Sequence, residues 1–290
     1  MSNEPDEESI EASRMTLGEH LEELRKRLAI GLGSVVVLFV LTWTWSDLAT
    51  EIVLRPYHVT VSKLEAFYTA EAEQMLRDDP ELQREELFEK IGDKERLRLL
   101  GDTRMTSIAP GEGFFFKLKI CLYFSAFLGS PILLWQLWMF VAAGLYQQEK
   151  RVVLGFFPAA FALFTGGVVF GYYTLVPYGM YFLNRTTDIR LIRMDLRVQE
   201  YFTFLSSLCL ALGVVFQLPI AMIVLSRLDI VRAETMSKYR GHTLVLAVVL
   251  AAFLTPPDPY TQAMMAVPIV VLYEVGIWCA RLVAPKSLPS

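Results

Sequence analysis

The feature that most constrains this chain is an uncharged apolar run from Leu28 to Trp45, with charged residues close to both ends. Its 18 residues are about enough for one helical crossing of a hydrocarbon core of roughly 30 Å. Further apolar blocks follow between short charged clusters, at 114–141, 152–176, 201–225, 243–254 and 263–283. Because 54% of the residues are hydrophobic and the mean hydropathy is +0.40, we predict an all-α polytopic membrane protein with six transmembrane helices.

The blocks differ in length and in their helix-breaking residues. The fifth, Thr243 to Leu254, has 12 residues, or about 18 Å of helix, which is too short for a bilayer of ordinary thickness. We expect helices 5 and 6 to be short, and the bilayer to be thinned around the fifth. Pro131 is expected to kink the second helix. Gly166, Gly167 and Gly171 are expected to permit close helix contact in the third.

The remaining segments divide the chain further. Residues 1–14 are predicted to be a disordered acidic tail, residues 15–283 a six-helix transmembrane domain, and residues 284–290 a second tail. After the first block, apolar residues spaced by three to four predict two amphipathic helices, one ending near Asp78 and one over Glu81 to Leu100. They form an extracytoplasmic helical insertion that we place at residues 57–110.

The distribution of cations between the two sides predicts the orientation, because short cytoplasmic loops are rich in Lys and Arg. With six crossings, twelve cations fall on the side of the termini: Arg14, Arg25, Lys26, Arg27, Lys150, Arg151, Arg227, Arg232, Lys238, Arg240, Arg281 and Lys286. Without the long first loop, four fall on the other side: Arg185, Arg190, Arg193 and Arg197. Both termini are therefore predicted to be cytoplasmic.

The sequence offers little for catalysis or metal binding. The three histidines are scattered, the three cysteines lie in apolar blocks without a CxxC pair, and neither HExxH nor GxxxxGK[ST] occurs. We expect no enzymatic activity, no metal, no cofactor and no nucleic-acid partner. The main polar side chains inside the blocks are Gln136, Gln217 and Glu274. Since an ion pump needs a row of intramembrane carboxylates, a receptor or scaffold is the better interpretation.

Charged residues precede the first block in a short amphipathic helix, His20 to Leu28. Glu22 lies four residues before Lys26, and Glu23 lies four residues before Arg27. Spacing alone is compatible with two i,i+4 ion pairs that support an exposed helix. The same carboxylates could also serve as a binding surface where water meets the membrane.

This stretch, HLEELRKRL at residues 20–28, resembles the amino-terminal signature of the TatC family, the multispanning receptors of the twin-arginine protein translocase. Four further stretches similar to that family follow in order: SPILLWQLWMF at 130–140, GLYQQEKR at 144–151, VFQLPIAMIVL at 215–225 and FLTPPDPYTQ at 253–262. The resemblance extends from Met15 to Arg281, except for the long loop.

The resemblance implies a receptor that recognises folded precursor proteins by the paired arginines of their signal peptides, at the cytoplasmic face of the bacterial inner membrane. By motif position, the carboxylates that receive the arginines are Glu23 and Glu149. A guanidinium group suits this role because it can bind a carboxylate through two parallel hydrogen bonds, which lysine cannot. The family's contact surface corresponds here to Leu21, Arg25, Phe140, Leu145 and Tyr146.

The implied partners are twin-arginine signal peptides, single-span TatA- and TatB-type subunits, other copies of the chain and membrane lipid, with transport driven by the proton motive force. Plainer interpretations remain open. Glu149 is compatible with an ordinary interfacial turn, Phe140 and Tyr146 with an aromatic belt, and Arg25 with helix stability and orientation.

Structural or partner-contact roles are predicted for five further residues: Pro56, Pro131, Gln217, Asp258 and Glu274. Pro56 and Asp258 are expected to fix the extracytoplasmic cap and a helix start. Many family members have glutamate where Gln217 stands, so a titratable role is not carried over, although an amide can hydrogen-bond across helices. Glu274 is compatible with an ion pair inside the bundle.

The alternative function is a secondary transporter or permease for a small solute. That class predicts internal repeats and matched interrupted helices around a site at the bilayer midplane. No repeat is visible in the sequence, and the proline-containing blocks do not occur in matching halves.

Overall fold

The computed structural model describes residues 17–78, 110–186, 197–255 and 258–283. Its helices are α1 (Leu17–Thr44), α2 (Ser46–Asp78), α3 (Glu112–Leu128), α4 (Ser130–Ala143), α5 (Gln147–Gly155), α6 (Phe157–Phe170), a π-helical turn (Gly171–Leu175), α7 (Val176–Thr186), α8 (Val198–Val215), α9 (Leu218–Arg227), α10 (Ala233–Lys238), α11 (Arg240–Leu254) and α12 (Pro259–Val283). The predicted tails and the second loop helix, at 81–100, lie outside the described residues.

Within the described ranges, four helical stretches are long and apolar enough to cross a membrane: Gly18–Thr44, Glu149–Thr186, Val198–Arg227 and Pro259–Val283. The pair α3 and α4, bent by 55°, makes a fifth if it is one broken span, and α11 is a further apolar helix of 15 residues. The short fifth helix is thus found as predicted. The count of six crossings stays a prediction.

Large apolar side chains cover the outside of these helices. Val36, Val37 and Val40 of α1 are 62%, 63% and 63% exposed, and Phe253 at the end of α11 is 84% exposed. A soluble monomer rarely exposes a continuous apolar surface of this kind. The helices therefore present lipid-compatible faces, as expected for a multi-pass membrane protein.

Helix α8 forms the centre of the bundle, and it packs closely against α6 and the π-helical turn. A Cβ atom built on Gly167 would lie 2.6 Å from the carbonyl oxygen of Leu212, and one on Gly171 would lie 3.0 Å from the side chain of Leu212. The prediction of close helix contact is therefore confirmed for these two glycines. It is wrong for Gly166, where an added Cβ atom would meet no other helix within 4 Å.

The bend predicted at Pro131 is confirmed. Helix α3 ends at Leu128, Gly129 caps it, and Pro131 lies in the first turn of α4. Proline is tolerated in a first turn because the amide it lacks has no partner within the helix. The two helices consequently meet at an angle of 55°.

The role predicted for Pro56, in fixing the extracytoplasmic cap, stays a prediction. Pro56 lies in the interior of α2, a helix of 33 residues that begins at Ser46. Position 57, where the predicted insertion starts, therefore lies inside this helix. Such a proline is tolerated only where another group satisfies the carbonyl that it leaves unpaired, and here the hydroxyl group of Tyr172 donates to that carbonyl, of Ile52.

Two further boundaries differ from the prediction. The third apolar block was expected to end at 176, but the helix continues as α7 to Thr186. The preceding turn is π-helical, with Val176 donating to Gly171, so the ladder of i−4 hydrogen bonds is already interrupted where proline lacks its amide. The expectation of a short sixth helix is also wrong, because α12 begins at Pro259 and has 25 residues.

Candidate functional site

The beginning of α1 lies against the end of α4. The rings of His20 and Phe140 stack with their centroids 4.4 Å apart and their planes inclined by 28°. A Cβ atom built on Gly144, directly after α4, would lie 3.6 Å from the His20 ring. The amino-terminal stretch at 20–28 therefore lies against the end of the stretch at 130–140 and the first residue of the stretch at 144–151.

Glu23 lies one turn after His20 and is held by Arg27 of the same helix. Its Oε1 atom accepts a hydrogen bond from Nε of Arg27 at 2.6 Å and contacts Nη2 at 2.5 Å. The two side chains are only 17% and 20% exposed, respectively. The i,i+4 contact that spacing allowed is therefore present, in a more sheltered position than a helix surface.

Arg27 also reaches a second helix. Its Nη1 atom donates to Oε1 of Gln136, in the middle of α4, at 3.3 Å. One guanidinium group therefore bridges a carboxylate on α1 and an amide oxygen on α4. The two acceptors come from different helices, and Gln136 lies 109 positions after Arg27 in the sequence.

Glu149 stands in the first turn of α5, where it closes the start of its own helix. Its Oε2 atom accepts a hydrogen bond from the backbone N–H of Tyr146 at 3.0 Å. A carboxylate at this position satisfies an amide that has no helical partner, and it also interacts favourably with the helix dipole. Glu149 is half-buried, and its charge lies five residues after Gly144, at the same end of the molecule as His20.

The other predicted contact residues fall into two groups. Leu21 and Tyr146 are 64% and 48% exposed, and Arg25 is also exposed, so these three are accessible. Phe140 is half-buried beneath His20. Leu145 packs against a buried cluster that contains Leu134, Trp138 and Val153, which makes it a packing residue.

Sequence reasoning did not assign a place in the site to His20, Arg27 or Gln136. Two of them carried a usable signal, since His20, Glu23 and Arg27 recur at three and four residues and so share one helix face. Gln136 carried a weaker one, as a polar side chain inside an apolar block. Its contact with Arg27 depends on how α1 packs on α4, which no local pattern specifies.

The residues predicted to be structural have identifiable contacts. Asp258 accepts hydrogen bonds from the amides of Tyr260 at 3.1 Å and Thr261 at 2.7 Å, which is an N-cap for α12. Gln217 lies in the break between α8 and α9, and its amide donates to the carbonyl of Ala160 at 2.9 Å. This is a hydrogen bond across helices of the kind that an amide was expected to make.

Glu274 of α12 forms an ion pair with Arg240 at the start of α11. The Nε–Oε1 and Nη2–Oε2 distances are both 2.8 Å, which is a bidentate arrangement. It ties the short helix α11 to α12. Among the described residues, no group of three or more His, Cys, Asp or Glu could hold a metal ion.

An apolar pocket of about 410 Å³ opens between α2, α3, α4, α6 and α8. Its lining includes Tyr123, Phe127, Leu137, Val168 and Leu205. No charged residue is among the described residues that line it. Such a pocket suits apolar chains or helices, whereas a small charged solute would find no counter-charge there.

Comparison with known proteins gives one consistent result. The family model of the Sec-independent protein translocase protein (TatC) matches residues 19–268. The TatC protein of Carboxydothermus hydrogenoformans is 31% identical over 279 residues, covering 96% of this chain and 98% of that protein. The TatC protein of Desulforapulum autotrophicum is 32% identical over 280 residues, covering 96% and 89%, respectively.

A solved structure is also similar. It is a crystal structure described as the twin arginine translocase receptor TatC, with a TM-score of 0.67 and 27% sequence identity. The match covers 91% of this chain and 99% of that one. The similarity therefore extends over the helices described above.

Proposed function

The chain belongs to the TatC family of Sec-independent protein translocase proteins, and from this premise we propose that it binds twin-arginine signal peptides of folded precursor proteins. Glu23 and Glu149 are the proposed arginine-binding carboxylates. Leu21, Arg25 and Tyr146 form the accessible surface around them. Phe140 and Leu145 support that surface from below.

The observation that carries the proposal is that Glu23 already binds a guanidinium group, that of Arg27, at 2.5 and 2.6 Å. Its side chain is only 17% exposed, so the charge is partly withdrawn from water and pairs more strongly than a carboxylate in bulk solvent. A planar cation with several N–H donors matches the two acceptors present there, Glu23 and Gln136.

The proposed membrane arrangement has six crossings with both termini in the cytoplasm, so that the start of α1 and the α4–α5 turn face the precursor. The protein would reside in the bacterial inner membrane. Single-span TatA- and TatB-type subunits and further copies of the chain are the proposed partners, with lipid around the apolar helix faces. Export would be driven by the proton motive force. The short helix α11 is proposed to thin the bilayer locally.

The experiment measures the affinity of the full-length protein, in lipid nanodiscs, for a signal peptide with paired arginines and for the same peptide with paired lysines. Glu23→Gln and Glu149→Gln remove each charge in turn. Glutamine at position 149 still accepts the amide of Tyr146, so the start of α5 is preserved. The matched control is Glu22→Gln, which changes an exposed neighbouring carboxylate.

We expect each of the two variants to weaken twin-arginine binding by about tenfold or more, because one charge-assisted hydrogen-bonded pair is lost. Glu22→Gln should bind as the unaltered protein does. Unchanged affinity in both Glu23→Gln and Glu149→Gln would overturn the proposed function. The small-solute transporter is not favoured, since the pocket lining is uncharged in the described residues.

A further inference from the structure

Arg27 occupies a position that another arginine could take. It is an arginine side chain held by Glu23 through Nε and Nη2 and by Gln136 through Nη1. We infer that Arg27 is an internal stand-in for a signal-peptide arginine, and that Gln136 is the residue that distinguishes a guanidinium from an ammonium group at this site. The inference rests on the proposed function and adds two residues to it.

The first step concerns occupancy. Both contacts from Arg27 fall on Oε1 of Glu23. A bidentate pair with an incoming guanidinium needs both carboxylate oxygens, so Arg27 has to release Oε1 before that pair can form. The positive charge of Arg27, which lies beside the carboxylate, also repels an approaching cation. It therefore lowers the affinity of the site for its ligand.

The second step concerns what replaces Arg27. A peptide guanidinium in the same place can donate to Glu23 through its Nε and Nη2 atoms and to Gln136 through Nη1. These are the contacts that Arg27 makes now. The exchange then conserves every hydrogen bond. A lysine ammonium group carries all of its N–H donors on one nitrogen atom. To reach both acceptors it would have to lie between them and give up its best contact with Glu23.

The third step concerns burial. Gln136 is half-buried in α4, where it faces Arg27 across the helix interface. An amide oxygen left without a donor in such a place is disfavoured. Displacement of Arg27 by a lysine leaves Gln136 unsatisfied, whereas displacement by an arginine does not. Gln136 thus contributes to selection although it carries no charge.

The test uses the full-length protein in nanodiscs with the paired-arginine and paired-lysine peptides. Arg27→Gln removes the internal competitor, and we expect it to tighten binding of the paired-arginine peptide by about three- to tenfold. The matched control is Lys26→Gln, which removes the same charge from an exposed neighbour and should shift the affinity by less than twofold, as expected for a solvated charge. Unchanged or weaker binding by Arg27→Gln would overturn the stand-in role.

Gln136→Leu removes the second acceptor with little change in volume. Because Arg27 already donates to Gln136 in the free protein, we expect paired-arginine binding to change by less than about twofold. Paired-lysine binding should tighten by about three- to tenfold, because no acceptor is left unsatisfied, so that the selectivity ratio falls. An equal change for both peptides, or no change for either, would indicate that Gln136 does not select between them and would overturn its assignment.

Failure of this inference is distinguishable from failure of the proposed function. If Glu23→Gln abolishes paired-arginine binding while Arg27→Gln and Gln136→Leu leave affinity and selectivity unchanged, only the inference is overturned. If Glu23→Gln and Glu149→Gln both leave binding unchanged, the receptor function itself is overturned, and the inference falls with it.

Discussion

The hydroxyl group of Tyr172 lies 2.5 Å from the carbonyl oxygen of Ile52, which is the acceptor that Pro56 leaves without an amide partner four residues later in α2. A second tyrosine acts beside it, since Tyr201 donates to the carbonyl of Val53 at 2.6 Å. Two side chains from the bundle therefore hold α2 where its own ladder is interrupted. This explains why a proline is tolerated in the interior of that helix.

We predict that Tyr172→Phe lowers the free energy of unfolding by about 1–3 kcal/mol, because the Ile52 carbonyl then has no donor. The measurement is thermal or denaturant unfolding of the purified protein in one detergent. Tyr173→Phe is the matched control, since Tyr173 is the next residue and is 61% exposed. An equal effect of the two substitutions would contradict the prediction.

The same relationship predicts coupling between Tyr172 and Pro56. Pro56→Ala supplies the missing amide, so the Ile52 carbonyl regains a helical partner. Tyr172→Phe should then destabilise the Pro56→Ala protein by at least about 1 kcal/mol less than the unaltered protein, which a double-mutant cycle measures. Identical losses in both backgrounds would mean that the hydroxyl does not serve the acceptor freed by proline.

The adjacent glycines of α6 allow a matched test of helix packing. A Cβ on Gly167 would lie 2.6 Å from a carbonyl oxygen of α8, which is backbone and cannot rotate away. Gly167→Ala should therefore destabilise the protein by about 1–3 kcal/mol or more. Gly166→Ala meets nothing within 4 Å and should be neutral or stabilising by up to about 1 kcal/mol, because alanine favours a helix. Equal melting temperatures for the two variants would contradict this packing.

Those features that depend on neighbouring residues were predictable from the sequence. The apolar run after Leu28, the bend at Pro131, the short block before Leu254 and the N-cap at Asp258 all follow from local composition and backbone chemistry. Features that depend on distant partners were not. The position of Pro56 inside a helix was not predictable, because the donor that satisfies the Ile52 carbonyl comes from 120 residues away.

The candidate site divides in the same way. The pairing of Glu23 with Arg27 follows from their spacing on one helix, and the role expected of both carboxylates followed from the family resemblance. The shared placement of His20, Phe140 and Gly144 requires α1 to lie against α4. That packing is set by the whole helix surface, so Gln136 could be noticed as polar but not assigned to Arg27.

The ion pair between Arg240 and Glu274 is predicted to stabilise the association of α11 with α12. Because the side chains are 48% and 45% exposed, we expect Glu274→Gln or Arg240→Gln to cost only up to about 1 kcal/mol each. The combined Arg240→Gln and Glu274→Gln protein should lose less than the sum of the two single losses, since no unpaired charge remains. Additive losses in detergent unfolding would indicate that the two groups act independently.

The length of α11 gives the last prediction. Its 15 residues extend about 22 Å, against a hydrocarbon core of roughly 30 Å, so a function in bilayer thinning should be lost when the helix is lengthened. Four apolar residues inserted between Ala252 and Phe253 add about one turn beyond the buried Ala251. We expect export of a twin-arginine reporter to fall by about tenfold at equal membrane abundance, measured in cells without their own receptor. The same insertion combined with deletion of four residues, 243–246, restores the length and should restore export; full export by the lengthened protein would contradict the thinning hypothesis.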